Sequence, residues 1–569
     1  MKVFLTNKEK ERDKALCPRF SRGLYDVALC MQVLILTGLL GLSLLITVEF
    51  VRSKDRVDVF TEHLTFRWSS VMFLLLFVGI ASVLFYLSRL LLAVSEKQLL
   101  IMVFLATLIL QLIWISALSL TNYWYADAIS LMRAADAILH HDLDRFNPSS
   151  CAFVQDLEMS KCLAMPDLYK GNLYQYFSWY PYQAGPMMWF LLVFFIFGSY
   201  NVLAFQIVNA CFVSGMTVLL MCMAKQCGLQ KRGACFLSVV LFTCLPLLMF
   251  SAFVYTNVVG VFFGMLSMYL ASKALSMLSI RKTIATLALA YGVGSLTVLI
   301  KTTYIIFLIA VTIVCILHFI SHTNKWPALF GIPLLIAANW MSKLPITVLE
   351  QLTGQKFGSG MPMTAWLVIG LREDPPTGPG WWTNVALQEY LHSGGDYDLQ
   401  SLHFKENLLT LFDMFVADPN TAVSFFGRKI ASEWAEPTFQ TALYSSQGDH
   451  VVTGGLEQFF LTGIGYKMMV GLDNVMQSMI YGLALVAVIA LLLRSMRHKV
   501  ECMPISQMLT IAFIGGFLCY VFWEAKSIYA LPFYLLLLPL SALGGQYVIG
   551  YVEPKLQQVA HSVCKSKIS

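Results

Sequence analysis

Three charged side chains stand at the edges of long apolar stretches. Asp127 opens the segment DAISLMRAADAI, a few residues after an apolar run ends. Lys301 interrupts the run SLTVLIKTTYIIFLIA, and Lys526 follows another apolar run in FWEAKSIYALPFY. The carboxylate suits either a helix N-cap or a general base, and each lysine suits either snorkelling to an interface or holding an anion. These residues alone leave both interpretations open.

Further charged and polar residues accompany these three. Arg428 and Lys429 are adjacent in FFGRKIASEWAEP, and Glu524 and Tyr529 flank Lys526. Charged groups beside membrane helices are costly and tend to mark functional sites. Several cations near one carboxylate predict an anionic ligand, most simply a phosphate, held close to the bilayer surface.

A metal site is the other chemistry that the sequence raises. His140 and His141 precede Asp142 and Asp144 in HHDLD, and carboxylate oxygens are hard ligands that suit a divalent cation. The same spacing is common at solvated helix ends, so we predict no metal and no other cofactor, while a divalent metal stays open as the alternative. The sequence has no GxSxG, HExxH or P-loop motif, which leaves hydrolase, metalloprotease and nucleotide-driven functions without support.

The composition indicates what kind of molecule must position these residues. Apolar residues make up 58% of the 569 residues, charged residues make up 13%, and mean hydropathy is +0.68. A soluble protein cannot hide so much apolar surface, and the same figures exclude disordered and disulfide-scaffold classes. The net charge of +6 comes without a basic stripe, so we expect no nucleic-acid partner. We predict an all-α polytopic membrane protein.

Apolar runs of about 18–25 residues predict about 12 transmembrane helices. They lie at roughly 29–50, 70–94, 98–120, 202–224, 233–251, 254–275, 283–300, 302–320, 326–343, 471–494, 505–523 and 527–550. One further run, 186–198, is only thirteen residues long. If it lies flat or re-enters, the basic loop at 225–232 and both chain ends fall inside, as the positive-inside bias requires. We therefore predict that 186–198 is an interfacial or re-entrant helix and not a span.

This layout divides the chain into seven parts. They are a cytoplasmic N-terminal tail (1–28), three transmembrane helices (29–120), a first extracytoplasmic loop (121–201), transmembrane helices four to nine (202–343), a large second extracytoplasmic loop (344–470), transmembrane helices ten to twelve (471–550) and a cytoplasmic C-terminal tail (551–569). Because all the cytoplasmic loops are short, we expect the protein to work at the extracytoplasmic face of the plasma membrane.

Both long loops contain predicted helices. In the first, apolar residues recur at helical spacing over 126–141, which predicts an amphipathic helix on the membrane surface. In the second, 399–436 is predicted helical, with Asp418 able to cap a helix that begins at a proline. Cys151 and Cys162 are the only cysteines that this layout places outside, where a disulfide and two free thiols are both possible.

Taken in order, these features resemble the GT-C superfamily of integral membrane glycosyltransferases. The likeness is to family-39-like enzymes related to protein O-mannosyltransferases and lipid A aminoarabinose transferases, in their Gram-positive bacterial form. The matching stretches are DAISLMRAADAI (127–138), YFSWYPYQAGPMMW (176–189), FGSYNVLAFQIVN (197–209), FVYTN (253–257), LIKTTYIIF (299–307), PMTAWLVIGL (362–371), FFGRKIASEWAEPTF (425–439) and WEAKSIYALPF (523–533). Each stretch is short, and their order over most of the chain makes the resemblance specific.

The resemblance implies an activity and a role for several residues. Such enzymes transfer a sugar from a polyprenyl-phosphate donor, with inversion, to a cell-wall polymer, a glycolipid or a protein. Asp127 matches the catalytic aspartate of the family, and Lys301 and Lys526 match positions near the lipid phosphate. The sequence departs from the family where Ala128 follows the aspartate in place of Glu, and where Asn257 stands in place of Asp.

This implied chemistry assigns two groups of residues around a single general base, Asp127. One base suffices because phosphate is already a good leaving group, unlike the leaving group in glycoside hydrolysis. The predicted phosphate-binding residues are Lys301, Lys526, Arg428 and Lys429. The predicted pocket residues are Tyr180, Gln183, Asn257, Glu524 and Tyr529. The implied partners are the polyprenyl-phosphate sugar lipid, a cell-envelope acceptor and membrane lipid.

Two other function classes remain open at this point. A transporter or flippase of a lipid-linked saccharide would place charged residues along the middle of the helix bundle. A non-catalytic scaffold that binds a wall component through its loops would leave the lysines beside the predicted spans unexplained.

Overall fold

The computed structural model of the chain describes residues 19–52, 60–69, 71–124, 127–151, 159–321, 326–448, 455–461, 464–497 and 503–551. Most of the two predicted tails, 1–28 and 551–569, therefore lies outside the described residues. Within these ranges the fold is helical except for one two-stranded hairpin. The predicted all-α fold class is confirmed.

Ten helical segments in the described ranges are long and apolar enough to cross a membrane. They are Ser21–Leu45, Leu75–Ala93, Glu96–Leu118, Val202–Gln226, Asn257–Leu275, Ile280–Ile300, Thr302–Ser321, Pro327–Thr353, Ile464–Met496 and Pro504–Phe522. Three bent helix pairs also qualify: Leu173–Trp179 with Pro181–Phe197 (109°), Lys231–Thr243 with Leu245–Ala252 (57°) and Ser527–Leu535 with Leu538–Tyr551 (52°). The chain is thus a polytopic membrane protein with 10 to 13 candidate spans, a range that includes the predicted twelve.

The first described elements differ in part from the prediction. They are α1 (Arg19–Leu45), β1 (Ile46–Arg52), β2 (Phe60–Trp68), α2 (Val71–Leu90) and α3 (Glu96–Leu118). The predicted span 29–50 is wrong at both ends, because the helix begins at Arg19 and ends at Leu45. The sequence ITVEFVR that follows forms a strand antiparallel to β2. Its β-branched and aromatic residues favour a strand over a helix, although they are apolar enough to extend the hydropathy signal.

The first long loop contains four short helices. They are α4 (Ala128–Leu139), α5 (Met159–Ala164), α6 (Leu173–Trp179) and α7 (Ala184–Phe197). Helix α4 confirms the helix predicted over 126–141 but is shorter. Its side chains Leu131, Met132 and Ala135 are buried, and α4 packs against α7. Protein therefore covers much of its apolar face.

The same loop holds a disulfide. Cys151 and Cys162 are bonded, with their Cα atoms 6.0 Å apart. Of the two alternatives that the sequence left open, the structure therefore contains the disulfide. The cross-link ties the segment after α4 to helix α5.

A bundle of long helices follows. It contains α8 (Val202–Gln226), α9 (Lys231–Thr243), α10 (Leu245–Met249), α11 (Asn257–Leu275), α12 (Ile280–Ile300), α13 (Ile305–Ser321) and α14 (Gly331–Met341). Helix α11 packs along α12, and α8 packs along α3. The span predicted at 326–343 is longer in the structure, since the apolar helical segment continues to Thr353.

The second long loop is mostly helical, as predicted. After α15 (Leu344–Thr353), which ends the candidate span that begins at Pro327, its helices are α16 (Met363–Gly370), α17 (Val385–His392), α18 (Tyr397–Ala417), α19 (Pro419–Trp434), α20 (Thr441–Ser445) and α21 (Leu456–Leu461). The Asp418 side chain accepts hydrogen bonds from the backbone N–H groups of Asn420 and Thr421. The predicted cap of the helix that begins at Pro419 is therefore confirmed.

The last described helices complete the bundle. They are α22 (Ile464–Met496), α23 (Pro504–Phe522), α24 (Ser527–Leu535) and α25 (Leu538–Tyr551). Helix α22 begins earlier than the predicted span 471–494 and packs along α1. Polar contacts occur inside this interface, where Ser478 lies 3.0 Å from Ser43. The first and last parts of the chain therefore share one core.

The two ends of the bundle differ in chemistry. The segments that follow α1, α3, α12 and α23 come together at one end, where Lys526 pairs with Glu62 and Tyr255 contacts both Asp127 and Lys301. At the other end, Lys225 pairs with Glu96 at the start of α3, and the short connections there include exposed Lys231 and Arg232. Lys225, Lys231 and Arg232 therefore lie at the end of the bundle opposite to the segments that follow α3 and α12.

Candidate active site

Asp127 lies in the turn before α4 but does not act as a capping residue. Its side chain makes no capping hydrogen bond. Instead, Gln183 Nε2 donates a hydrogen bond to Asp127 Oδ2 at 2.9 Å, and the Tyr255 hydroxyl lies 3.4 Å from the same oxygen. Tyr255 also donates to Gln183 Oε1 at 2.9 Å. Two distant chain segments therefore hold this carboxylate, which the N-cap interpretation does not explain.

The surroundings of Asp127 change its acidity. Burial raises the pKa of the carboxyl above its ordinary value. The Tyr176 phenol, the ammonium groups of Lys301 and Lys526, and the Tyr255 phenol act to lower that pKa. A carboxylate with a raised pKa accepts a proton more readily than a solvated one. The site therefore favours the use of Asp127 as a base.

Lys301 lies between α12 and α13 and directs its ammonium group at two aromatic rings. Its Nζ is 4.6 Å from the centroid of the Tyr529 ring and 5.3 Å from that of Tyr255. Ring faces attract a cation electrostatically. Burial lowers the pKa of Lys301 to about 8, while the carboxylates of Glu524 and Asp127 act to raise it. Tyr255 therefore contacts both the carboxylate of Asp127 and the ammonium of Lys301.

One glycine permits this arrangement. Gly185 lies in the first turn of α7, and a Cβ atom there would lie 1.7 Å from the carbonyl oxygen of Leu299 near the end of α12. Only glycine allows two backbones to approach so closely. This contact fixes Gln183, two residues before Gly185, relative to Lys301, two residues after Leu299.

Lys526 is paired with a residue of the hairpin. Its Nζ donates hydrogen bonds to both carboxylate oxygens of Glu62 in β2, at 2.6 and 2.9 Å, and lies 5.9 Å from the centroid of the Trp381 ring. The side chains of Lys526 and Glu62 are 11% and 21% exposed. The hairpin therefore reaches the same end of the bundle as Asp127.

Glu524 is a second buried carboxylate of this cluster. Burial raises its pKa to about 7, and the ammonium groups of Lys526, Lys301 and Lys429 act to lower it. Both lysines of the site therefore lie close enough to influence one carboxylate electrostatically. The backbone N–H of Glu524 donates to the carbonyl of Trp366 at 2.9 Å, which attaches this segment to the second long loop.

The structure gives Arg428 and Lys429 partners other than the predicted phosphate. The Arg428 guanidinium forms a bidentate salt bridge with Glu373. The buried Lys429 Nζ donates to the carbonyl oxygens of Gly370 at 2.5 Å and Trp523 at 2.8 Å. Lys429 thereby holds the backbone next to Glu524, so its contacts indicate a positioning role.

Several aromatic residues lie close to Asp127. The Tyr180 ring centroid is 6.0 Å from that of Tyr182 and 6.1 Å from that of Trp366. Burial and the nearby Asp127 carboxylate raise the pKa of Tyr180. Tyr182 and Trp382 remain 38% and 37% exposed. Pockets for small molecules are commonly built from such aromatic walls with a few polar groups.

Asn257 is placed differently from the other predicted pocket residues. It opens α11, is fully buried, and neither side-chain atom has a hydrogen-bond partner. No hydrogen bond therefore links its side chain to Asp127 or to the two lysines, although Tyr255, two residues earlier, contacts both Asp127 and Lys301.

The residues that the sequence offered as a metal site contact other side chains. In the HHDLD segment, Asp142 accepts a hydrogen bond from Arg145 at 2.7 Å, and His140 Nδ1 lies 3.0 Å from Asp136 Oδ1. Among the residues that the structure describes, no group of three or more His, Cys, Asp and Glu side chains could hold a metal ion.

Two residues that contact the candidate site were not identified from the sequence. Tyr255 looks like an interfacial aromatic residue until the fold brings it to Asp127. Glu62 has a clearer signal, because apolar residues take every second position of HLTFRW, with Leu64, Phe66 and Trp68 on one face. Glu62 falls on that same face, and an acid on the apolar side of a strand is unusual enough to mark it.

No family model matches the sequence, and no curated protein matches it. The function must therefore be inferred from the geometry and chemistry of this site.

Proposed function

We propose that this protein is a membrane glycosyltransferase. It moves a sugar from a polyprenyl-phosphate donor to an acceptor at the extracytoplasmic face of the plasma membrane, and the acceptor is a cell-envelope polymer, a glycolipid or a protein. Asp127 acts as the general base, while Lys301 and Lys526 bind the donor phosphate.

The proposal rests on one observation, the position of Tyr255 between opposite charges. Its hydroxyl lies 3.4 Å from Asp127 Oδ2, and its ring centroid lies 5.3 Å from Lys301 Nζ. The carboxylate and the ammonium are thus separated by one tyrosine side chain. That separation suits a sugar whose anomeric carbon faces the base and whose phosphate faces the lysine.

The chemistry needs one proton acceptor and stabilisation of the leaving group. The acceptor hydroxyl oxygen attacks the anomeric carbon as its proton passes to Asp127. The bond between that carbon and the phosphate oxygen breaks, and its electron pair stays on the phosphate. Lys301 and Lys526 offset the growing negative charge. Attack opposite the leaving group inverts the anomeric carbon.

The distribution of charge along the bundle supports an extracytoplasmic site. Basic residues in short connections near helix ends favour the cytoplasmic side. Lys225, Lys231 and Arg232 lie at the end opposite to Asp127. This charge distribution supports an orientation with Asp127 and both long loops outside.

Replacement of Asp127 by Asn tests the base directly. The full chain, purified into nanodiscs, is incubated with a panel of polyprenyl-phosphate sugars labelled in the sugar, with cell-envelope extract as acceptor. We expect the Asp127→Asn variant to lose transfer by at least about 100-fold, because general base catalysis contributes that much or more. The measurement is the amount of labelled sugar transferred to the acceptor.

Asp136→Asn provides a matched control. Asp136 lies on α4 and pairs with His140 and Arg145. Transfer by this variant should stay within a few-fold of the wild-type rate. Undiminished transfer by Asp127→Asn would contradict the assignment of the base.

A transporter of a lipid-linked saccharide is the second candidate, and one observation favours it. Asp473 is buried within the candidate span α22, and neither carboxylate oxygen has a hydrogen-bond partner. Ionisable residues inside membrane spans often mark transport pathways. If Asp473→Asn abolished movement of the lipid across vesicles while Asp127→Asn did not, transport would be favoured over transfer.

A further inference from the structure

One face of the β1–β2 hairpin is directed at the candidate site. Phe50 pairs with Leu64 in the register of the two strands. Glu62 lies where this register is irregular, between the pairs Phe50–Leu64 and Arg52–Phe60, and its carboxylate contacts Lys526 Nζ, which lies 5.9 Å from the centroid of the Trp381 ring. Phe50 is 5% exposed, and its ring centroid lies 6.0 Å from that of Trp381. The hairpin therefore packs on the second long loop through the face that carries Glu62.

The ammonium groups of Lys301 and Lys526 have different partners. Lys526 has the carboxylate of Glu62 within hydrogen-bond distance at both oxygens. For Lys301, no carboxylate of the described chain lies within ion-pair distance, and aromatic rings surround its ammonium instead. Lys526 can therefore accept a new anion only if Glu62 moves away from it.

Carboxylate and phosphate oxygens compete for the same ammonium. Both accept charge-assisted hydrogen bonds of similar geometry from a lysine. The pair between Glu62 and Lys526 is mostly enclosed, so water screens it less than a surface pair. A ligand without a full negative charge could not replace the carboxylate at this position.

We propose that Glu62 is an internal competitor that occupies the phosphate-binding position of Lys526 in the empty site. A donor phosphate must displace Glu62 to reach Lys526, so Glu62 weakens the binding of lipid phosphates and leaves the binding of uncharged polyprenyl lipids unaffected. This proposal rests on the proposed role of Lys526 in holding the donor phosphate.

The proposal predicts that removal of the internal carboxylate strengthens phosphate binding. In the wild type, Lys526 can bind phosphate only in the fraction of molecules in which Glu62 has moved away. The apparent affinity for phosphate is reduced by that fraction. The Glu62→Gln variant keeps the shape of the side chain but loses its charge. We expect this variant to bind farnesyl phosphate roughly three- to tenfold more tightly than the wild type. Binding of uncharged farnesol should not change.

The experiment uses the full chain in nanodiscs of neutral lipid, with calorimetric titration of farnesyl phosphate and of farnesol. Glu62→Asp keeps the carboxylate, so its affinity for farnesyl phosphate should lie closer to the wild-type value. If Glu62→Asp binds farnesyl phosphate much as the wild type does, the tighter binding by Glu62→Gln comes from the lost charge and not from a loosened hairpin. Equal or weaker binding of farnesyl phosphate by Glu62→Gln would overturn the proposal.

Glu49→Gln is the matched control on the opposite face of the hairpin. Glu49 pairs with Thr65 in the register and lies 3.6 Å from Arg67. Its replacement should leave the affinity for farnesyl phosphate unchanged, and an equal gain in affinity would overturn the role of Glu62.

The titrations require no sugar transfer, so their outcome is separate from that of the Asp127→Asn assay. If the wild type transfers sugar but Glu62→Gln binds farnesyl phosphate no more tightly than the wild type, only the Glu62 proposal is refuted. A gain with Glu62→Gln, together with undiminished transfer by Asp127→Asn, would refute only the assigned base.

Discussion

The charge of Lys301 should depend on pH near neutrality. Burial lowers its pKa to about 8, against the opposing influence of Glu524 and Asp127. In its proposed role Lys301 binds the donor phosphate only when protonated, so its contribution to affinity is present below pH 8 and is lost as the pH rises through that value. We expect farnesyl phosphate to bind roughly tenfold more weakly at about pH 9 than at about pH 7.5, measured by titration of the full chain.

Lys301→Arg is the control for this pH profile. A guanidinium stays protonated throughout this range, so its variant should bind farnesyl phosphate with a flat profile above neutral pH. If the affinity of the Arg variant for farnesyl phosphate fell in the same way, a group other than Lys301 would be responsible for the pH dependence.

At the scale of single residues, the sequence identified those whose type conflicts with their surroundings. Asp127, Lys301 and Lys526 stand beside apolar runs, where charge is costly, and the structure brings them to one end of the bundle. Arg428 also carries charge, but its partner Glu373 lies more than fifty residues away along the chain. Which cations remain available to a ligand depends on such pairings, and these form only in the folded molecule.

At the scale of elements, the approach of α7 to α12 sets the geometry of the site. A Cβ atom at Gly185 would overlap the carbonyl oxygen of Leu299. Gly185→Ala should therefore push the start of α7 away from α12 and separate Gln183 from Asp127. We expect a loss of about 1–3 kcal/mol in stability and weaker binding of farnesyl phosphate, measured by thermal unfolding and titration.

Gly292→Ala is the matched control for this contact. Gly292 lies on α12 itself, and a Cβ atom there would meet no heavy atom within 4 Å. This variant should keep both the stability and the affinity for farnesyl phosphate. If Gly185→Ala behaved like Gly292→Ala, the close approach of the two helices would not control the site.

Helices were predicted more reliably than the hairpin for a physical reason. A membrane span needs a long apolar run, and α8 and α12 provide one that stands out in any window. The strand β1 directly continues the apolar run of α1, so its residues add to the helix signal. The alternating pattern of β2 distinguishes strand from helix, but only when short segments are considered separately.

At the scale of the whole molecule, the site lies where segments from four parts of the chain converge. Asp127 follows α3, Lys301 follows α12, Lys526 follows α23, and Glu62 lies between α1 and α2. Each segment follows a helix that runs towards the same end of the bundle. The number and direction of spans, which hydropathy and charge predict, therefore determine which residues can meet, whereas their contacts depend on packing.

The orientation of this end in the membrane is the last prediction. Lys231, at the basic end, and Lys405, on α18 of the second long loop, are both exposed. If basic connections stay inside, a cysteine placed by Lys405→Cys should react with a membrane-impermeant maleimide in intact cells. The thiol of Lys231→Cys should react only after the membrane is permeabilised, with the parent chain as the baseline for native thiols. Labelling of Lys231→Cys in intact cells would invert the topology, and Asp127 would then face the cytoplasm, where a lipid-linked donor on the outer leaflet could not reach it.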